Sequence, residues 1–377
     1  MPSNPLLKLQ ELGQSVWLDV LGRELLASGT LARLIEGDGV SGVTSNPTIF
    51  ERAVRAGRAY DAAIEQLGRR RLDDAAIMRE LVLRDVADAA DLLRPRFVSS
   101  AGTDGFVSVE VSPHLAYDTV ATIREGRALW AALRRPNVLV KVPATAAGVP
   151  AVRTLLAEGI NVNVTLLFGT KRYAEVVDAY LSALEERRAG GKSMHDVASV
   201  ASFFVSRIDT AVDAVLDRIA AAGGADAGRA AALRGRAAVA CACDAYRCFM
   251  ESIGGARFRA LHDGGAHPQR LVWASTSTKD PAYPDVKYVE ALVGADTINT
   301  MPLETLEAYR AHGRPQRRLP DAVREGRATL RDLALLGIGL DEVAAHLERG
   351  GARKFRASHD GLLAAIAARR SAVPEQA

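Results

Sequence analysis

Short runs of apolar and β-branched residues recur along this chain and alternate with segments of helical pattern. Eight such runs are present, near residues 15–19, 41–45, 106–111, 138–142, 160–166, 199–205, 270–275 and 296–300. Strands that alternate with helices form parallel βαβ units. Eight units close a barrel, and a chain of 377 residues is long enough to contain one. We therefore predict an α/β fold, a single (β/α)8 (TIM) barrel with additional helices.

The additional helices are expected in three places, and the whole chain, 1–377, is expected to form one domain. Two helical insertions are predicted near 58–95 and near 228–260, and a helical C-terminal segment is predicted after residue 315. An open, doubly wound sheet is the alternative architecture. No GxGxxG motif follows the first run, which argues against a dinucleotide-binding sheet of that kind.

Several of the predicted strands carry polar residues at every second position. In VSVEVS, Glu110 lies on the face opposite to three valines, and in NVNVTL, Asn163 and Thr165 lie opposite to apolar residues. Because side chains alternate along a strand, helices on the outside would cover the valines and leave the polar residues inside the barrel. An antiparallel sheet with one solvated face is the alternative, and the intervening helices argue against it.

The run NVLVKVPAT, residues 137–145, places Lys141 inside a strand that reads as buried. Only seven of the 48 Lys+Arg residues are lysines. An amine at this position indicates that a lysine is needed, because lysine can lose its proton and arginine cannot. In a low-dielectric site the neutral amine can attack a carbonyl and form a Schiff base. A purely structural ion pair between Lys141 and Glu110 is the alternative.

Schiff-base chemistry also needs groups that move protons, and several lie near the carboxyl ends of predicted strands. Asp19, Glu110, Thr165 and Ser202 fall in the C-terminal halves of their runs, where barrel enzymes place their active sites. Asn46 follows the second run and precedes a proline suited to a first helical turn. Structural alternatives are helix N-caps for Asp19 and Asn46 and core hydroxyls for Thr165 and Ser202.

Composition argues against several other classes of protein. The net charge is only +3, and no long basic run is interleaved with aromatic residues, so we expect no nucleic-acid partner. The N-terminal residues do not resemble a signal peptide, and no run of 18 apolar residues occurs, so we expect no membrane partner and a cytoplasmic location. The three cysteines, Cys241, Cys243 and Cys248, lack metal-ligand spacing, so we expect no metal site.

Over nearly its whole length the chain resembles the transaldolase family. The resemblance is carried by GVTSNPTIF, VSVEVSPHLAYDT, VLVKVPAT, GINVNVTLLF, SFFVSRID and WASTSTKDP. It implies a class I aldolase-type barrel without metal or organic cofactor, acting on sugar-phosphate substrates as a monomer or a homodimer. It implies transfer of a dihydroxyacetone unit, in which sedoheptulose 7-phosphate and glyceraldehyde 3-phosphate exchange with erythrose 4-phosphate and fructose 6-phosphate in the pentose phosphate pathway.

The resemblance also implies catalytic roles for four residues. Lys141 corresponds to the Schiff-base lysine, and Asp19 to the group that exchanges a proton with the C4 hydroxyl. Glu110 and Thr165 correspond to the pair that holds the proton-shuttling water during imine formation and hydrolysis.

Further residues correspond to the substrate-binding positions of the family. Asn46, Asn163 and Ser202 are expected to bind hydroxyls of the dihydroxyacetone unit, Phe204 to shape the pocket, and Arg207 to bind the substrate phosphate.

The phosphate site departs from the family pattern after the seventh strand. Ser275 matches a phosphate-binding serine, but the second arginine of the pattern is missing. We expect Lys279 or the hydroxyl of Ser277 to replace it, and lysine would bind as a point charge without bidentate geometry.

The closest alternative function is a fructose 6-phosphate aldolase-type lyase on the same barrel. In that branch glutamine typically replaces Glu110 and tyrosine typically replaces Phe204, so this chain favours the transferase. A Schiff-base lyase for keto acids and a non-catalytic barrel are more distant alternatives. A keto-acid lyase would need a second arginine to bind the substrate carboxylate, and this chain has none placed for that role. A non-catalytic barrel would have no reason to keep both Lys141 and Glu110.

Overall fold

The computed structural model describes residues 4–371, and its centre is a closed sheet of eight strands in sequential order. Each strand pairs in parallel with both of its neighbours, and β8 closes the sheet against β1. The strands are β1 (Gln14–Leu18), β2 (Gly42–Val43), β3 (Phe106–Glu110), β4 (Val138–Pro143), β5 (Val162–Leu167), β6 (Ser199–Phe204), β7 (Arg270–Ala274) and β8 (Thr297–Met301). All eight fall on the predicted runs, and the predicted (β/α)8 barrel is confirmed.

Helices connect and cover these strands. Before β3 lie α1 (Pro5–Glu11), α2 (Arg23–Ala27), α3 (Thr30–Asp38), α4 (Pro47–Ala56), α5 (Asp61–Arg69) and α6 (Asp74–Ser99). Between β3 and β7 lie a one-turn 3-10 helix (Pro113–Leu115), α7 (Thr119–Leu133), α8 (Gly148–Glu158), α9 (Thr170–Ala189), α10 (Ser206–Ala222), α11 (Ala227–Leu233), α12 (Ala237–Gly254) and α13 (Ala256–His262). After β7 lie α14 (Lys287–Ala291), α15 (Leu303–His312), α16 (Leu319–Leu335) and α17 (Leu340–Ser371).

Three groups of these helices occupy the segments where extra helices were expected. Helices α5 and α6 precede β3, α11 to α13 precede β7, and α16 and α17 follow the last barrel helix. Helix α16 packs on α12, so the second insertion and the C-terminal segment support each other. The single domain predicted over 1–377 stays a prediction, and its ends, 1–3 and 372–377, lie outside the described residues.

The barrel interior is apolar in its lower part and polar above. Six buried side chains form an inner cluster separate from the main core: Trp17, Phe106, Leu139, Val200, Val272 and Ile298. Phe106 and Leu139 lie on the same strand faces as Glu110 and Lys141, because residues an even number apart share a face. The alternation seen in the sequence therefore reflects an interior whose apolar floor lies below polar side chains.

Helix α17 crosses the carboxyl end of the barrel, where it packs against α4, α6, α10 and β5. A Cβ atom at Gly351 would lie 2.8 Å from Leu166 Cδ2, so the absence of a side chain lets this helix approach β5 closely. Thr48 Oγ1 donates a hydrogen bond to Ser358 Oγ over 2.9 Å, and His114 Nε2 lies 2.7 Å from Asp360 Oδ1. These contacts fix α17 above the polar end of the barrel.

Within residues 4–371, no helix combines the length and the apolar composition that are needed to cross a bilayer. Cys241, Cys243 and Cys248 all lie on α12 and are not disulfide-bonded. Burial raises the pKa of both Cys241 and Cys243 to about 12, so these thiols stay protonated at neutral pH.

Candidate active site

The Lys141 side chain is buried at the carboxyl end of β4. Its Cα atom pairs in register with that of Glu110 on β3 and that of Asn163 on β5, so three polar residues form a row across neighbouring strands. Lys141 Nζ lies 3.5 Å from Glu110 Oε2 and donates a hydrogen bond to the carbonyl oxygen of Ser45 over 3.2 Å. The Phe355 ring centroid lies 5.8 Å from the same nitrogen. The amine is thus shielded from water and has one carboxylate beside it.

Glu110 lies beside the amine and is itself buried. Desolvation raises the pKa of its carboxyl to about 7, although the nearby charge of Lys141 acts in the opposite direction. Glu110 Oε2 and Thr165 Oγ1 are both buried, and neither has a hydrogen-bond partner among the described residues. Buried polar atoms are normally hydrogen-bonded, so both oxygens have unused capacity for a small polar molecule.

Asp19 follows the last residue of β1, and its carboxylate is the second acidic group close to Lys141. Its Oδ1 atom accepts a hydrogen bond from Thr44 Oγ1 over 2.6 Å. Burial raises the pKa of Asp19, while the charges of Lys141 and Arg207 lower it less strongly. Helix α2 begins at Arg23 with Gly22 as its N-cap, so the carboxylate of Asp19 does not cap that helix.

Asn46 is the N-cap of a helix, which was the structural alternative for it, and it also lines the site. Its Oδ1 atom accepts a hydrogen bond from the backbone N–H of Ile49 over 3.1 Å and caps α4. Because the cap uses only the oxygen, the amide nitrogen is left for a ligand.

Asn163 and Ser202 are joined to each other below the cavity mouth. Ser202 Oγ donates to Asn163 Oδ1 over 2.7 Å, and Asn163 Nδ2 donates to Ser108 Oγ over 2.9 Å. The Asn163 side chain is therefore held on both sides, which fixes the position of the Ser202 hydroxyl.

These residues surround a cavity of about 210 Å³ at the carboxyl end of the barrel. Nine of the predicted site residues line it, namely Asp19, Asn46, Lys141, Ser202, Phe204, Arg207, Ser275, Ser277 and Lys279. The other three, Glu110, Asn163 and Thr165, are buried side chains that do not line this cavity. The structure thus brings the predicted residues to one end of the barrel, and their roles stay predictions.

One wall of the cavity is cationic. Arg207, in the first turn of α10, packs over the ring of Phe204 with 5.4 Å between the guanidinium carbon and the ring centroid. Ser275 has a φ of 56° and its hydroxyl lies 3.0 Å from that of Ser206. Lys279 Nζ donates a hydrogen bond to Ser277 Oγ over 2.6 Å. The two residues expected to replace the missing arginine are therefore hydrogen-bonded to each other.

Sequence reasoning missed several residues that line the cavity: Thr44, Arg52, Glu304, Lys354 and Phe355. Lys354 and Phe355 come from α17, which no strand pattern places at the active site. The available signal was the spacing of Gly351, Phe355 and Ser358, which lie three or four residues apart on one helix face.

The fold and this site define a barrel enzyme with a buried lysine amine and an adjacent carboxylate at the bottom of a polar, partly cationic cavity. The chain matches the profile of the transaldolase/fructose-6-phosphate aldolase family over residues 16–366. It is 49% identical over 358 residues to a transaldolase of Thiobacillus denitrificans, covering 95% of this chain and 98% of that protein.

Two further transaldolases show the same extent of similarity. One from a Parafrankia species is 45% identical over 365 residues, with 97% of each chain covered. One from Mycobacterium tuberculosis is 46% identical over 363 residues, with 96% of each chain covered. The chain therefore belongs to the transaldolase/fructose-6-phosphate aldolase family and is an enzyme of the transferase class. The predicted family is confirmed.

Proposed function

We propose that this enzyme transfers a dihydroxyacetone unit between ketose and aldose phosphates through a Schiff base on Lys141. The physiological exchange would be that of sedoheptulose 7-phosphate and glyceraldehyde 3-phosphate with erythrose 4-phosphate and fructose 6-phosphate. The observation that carries this proposal is the buried Lys141 amine, 3.5 Å from a carboxyl whose pKa is about 7, beside a cavity with a cationic wall.

In the first step the neutral Lys141 amine attacks the C2 carbonyl of the ketose, and loss of water gives a protonated imine. Asp19 then accepts the proton of the C4 hydroxyl. The C3–C4 bond breaks, its electron pair moves into the imine to give an enamine, and the aldose phosphate leaves. The acceptor aldose reverses these steps, and hydrolysis of the new imine restores the amine.

Imine formation and hydrolysis both need a group that moves protons to and from water. Oε2 of Glu110, which has only the 3.5 Å ion pair with Lys141, and Oγ1 of Thr165 lack hydrogen-bond partners among the described residues, which supports a bridging water as that group. A pKa of about 7 suits Glu110 to both directions, because its acid and base forms are then similarly populated near neutral pH.

The binding roles follow from groups that have free hydrogen-bonding capacity at the cavity. The amide nitrogen of Asn46 and the hydroxyl of Ser202 would bind hydroxyls of the dihydroxyacetone unit. The sequence assigns Asn163 the same role, but its amide is hydrogen-bonded to Ser202 and Ser108 and does not line the cavity, so we propose that it holds Ser202 in place. Arg207, Ser275 and the Ser277–Lys279 pair would bind the phosphate. Every step uses groups of the chain and the substrate, so the proposal requires no metal or organic cofactor.

A fructose 6-phosphate aldolase-type lyase is the second candidate, because the family profile covers both activities. Glu110 and Phe204 occupy the positions where that branch typically has glutamine and tyrosine, which supports the transferase. The pentose phosphate pathway, a cytoplasmic location, and a monomeric or homodimeric state stay predictions.

The experiment that separates the two is release of glyceraldehyde 3-phosphate from fructose 6-phosphate, with and without erythrose 4-phosphate. We expect release to require the acceptor, because the enamine waits for an aldehyde. Release at a similar rate without acceptor contradicts the transferase and supports the lyase, and no release in either case contradicts both.

A further inference from the structure

Two cationic side chains at the cavity mouth have no acidic partner among the described residues. Arg52 on α4 and Lys354 on α17 are exposed residues that line the cavity. Within residues 4–371, neither makes a hydrogen bond or an ion pair with another side chain. Other basic residues of α17 are paired, since Arg369 contacts Asp61 and Arg370 Nε lies 3.0 Å from Asp74 Oδ1. The mouth therefore presents two unneutralised charges to whatever enters the cavity.

These two side chains continue the cationic wall outwards. The pKa of Lys279 is lowered, mainly by desolvation and also by the charges of Arg207 and Lys354. The charges of Glu304 and Asp19 act in the opposite direction. Desolvation likewise lowers the pKa of Lys354, followed by the charges of Arg207 and Arg52. Lys354 is thus close to cations on both sides. Arg207 and Lys279 follow the barrel strands β6 and β7 and are called the inner pair here, and Arg52 and Lys354 come from the helices α4 and α17 and are called the outer pair.

Close packing holds Lys354 in this position. A Cβ atom at Gly351 would lie 3.8 Å from Arg207 Nη1, so the backbone of α17 passes directly over the guanidinium. Lys354 follows three residues later, about 4.5 Å further along the helix axis. The hydrogen bond between Thr48 and Ser358 ties the next turn to α4, which carries Arg52. The two residues of the outer pair therefore lie on two helices that are hydrogen-bonded to each other.

We propose that Lys354, together with Arg52, forms an outer phosphate position that binds the seven-carbon ketose phosphate in preference to the six-carbon one. This inference rests on the proposed function. Both donors place C2 at Lys141, so the phosphate of the longer ketose stands one carbon further from that nitrogen. In the inner pair, Arg207 lies in the first turn of α10 directly after β6 and Lys279 lies in the loop after β7, and this pair serves the shorter donor. A flexible lysine beside it extends the site outwards, because its ammonium is a point charge on a long stem.

The alternative is that both residues are ordinary solvated surface charges, which contribute little to binding. Two matched variants distinguish these cases. Lys354→Met keeps an unbranched side chain and a good helix former but removes the charge, and Arg353→Met does the same at the adjacent exposed residue. Lys354→Arg restores a cation at the same place.

The test measures KM and kcat for sedoheptulose 7-phosphate and for fructose 6-phosphate, each with a saturating acceptor aldose. For Lys354→Met we expect KM for the seven-carbon donor to rise about five- to tenfold, as for loss of one exposed contact to a charged group. KM for the six-carbon donor should change by less than about twofold, with kcat nearly unchanged. Arg52→Met should show the same pattern, while Lys354→Arg and Arg353→Met should stay near wild type.

Three outcomes overturn the inference. Unchanged KM for both donors means that the outer pair binds no phosphate. An equal rise for both donors means that Lys354 does not distinguish chain length, and an equal rise in Arg353→Met means that the effect is not specific to the cavity.

A calorimetric titration with inorganic phosphate separates this inference from the proposed function. Wild-type protein that turns over neither donor contradicts the function. In that case equal phosphate affinity in wild type and Lys354→Met also overturns the outer site, and a weaker affinity in the variant supports it.

Discussion

Lys141 Nζ lies 3.5 Å from Glu110 Oε2, and the two side chains are only 4% and 6% exposed. A buried ion pair often contributes nothing to stability, because removing both charges from water costs as much as their attraction returns. A structural role is therefore a weak explanation for this pair. A Glu110 carboxyl with a pKa of about 7 can instead exchange a proton near neutral pH, which is what formation of an imine beside it requires.

Replacement of Lys141 tests the centre of the proposal. We expect Lys141→Met to abolish turnover and to abolish the covalent adduct that borohydride traps with fructose 6-phosphate, since the nucleophile is removed. Mass spectrometry of the trapped protein locates the adduct. Lys192→Met, at an exposed lysine, is the control and should trap normally. An adduct on any other lysine of the wild-type protein contradicts the assignment.

The pKa of Glu110 predicts the pH dependence of catalysis. As the pH falls below about 7, Glu110 becomes protonated and can no longer accept a proton from water, so kcat should fall along an acid limb. Glu110→Gln should lower kcat by about 10²- to 10⁴-fold and remove this limb. The measurement is kcat of both proteins between about pH 5.5 and 9.

Glu125→Gln is the matched control for Glu110. Glu125 is a neighbouring carboxyl whose pKa burial also raises, and it accepts a hydrogen bond from the backbone N–H of Ser112 over 2.8 Å. Glutamine preserves that acceptor. The acid limb should survive in this variant, and its loss there would assign the limb to the wrong carboxyl.

Arg207 is expected to recognise phosphate and not the dihydroxyacetone unit. Arg207→Ala should raise the half-saturating concentration of fructose 6-phosphate by about tenfold or more, as for loss of a charged hydrogen bond. Half-saturation by free dihydroxyacetone, read from borohydride trapping, should change little because this donor brings no phosphate. Arg218→Ala, an exposed position on the same helix, should leave both values unchanged. Equal losses for the two donors would show that Arg207 has another role.

The barrel and most of the site were predictable because their signals are local. Alternation with period two marks Glu110, Lys141 and Asn163 as interior residues, and the βαβ order brings their strands side by side. Resemblance to a family then added roles that no pattern contains. For Asn46, a helix cap is the structural alternative to a place in the cavity, but one amide both caps α4 and lines the cavity.

The position of α17, the helix that forms the roof of the site, was not predictable, because it depends on tertiary contacts. The pattern of α17 shows that the segment is helical but not which surface it covers. Leu166 adopts a φ of 60°, at a register shift between β5 and β6, and Ser275 adopts a φ of 56°. Such conformations are rare for residues other than glycine and persist only where the surrounding structure enforces them. A leucine or a serine in the sequence does not indicate a positive φ.

The contact between Gly351 and Leu166 gives the last prediction, which concerns the stability of that roof. A side chain at Gly351 would begin 2.8 Å from Leu166 Cδ2, closer than packed atoms can come, so the Leu166 side chain or α17 itself must shift. We expect Gly351→Leu to lower the free energy of unfolding by about 1–3 kcal/mol, the usual cost of overpacking. Any displacement of α17 should also raise KM for the seven-carbon donor more than for the six-carbon donor, because the helix carries Lys354.

The adjacent glycine provides the control for this substitution. A Cβ at Gly350 would meet only a guanidinium nitrogen of Arg353 at 4.0 Å, so Gly350→Leu introduces the same side chain without a close contact at its Cβ. Leucine is a better helix former than glycine by up to about 1 kcal/mol, so this variant should be as stable as wild type or more stable. Urea unfolding of the three proteins measures both effects. Equal stability of Gly351→Leu and Gly350→Leu would mean that α17 does not depend on close contact with β5, and that the cavity is closed by other packing.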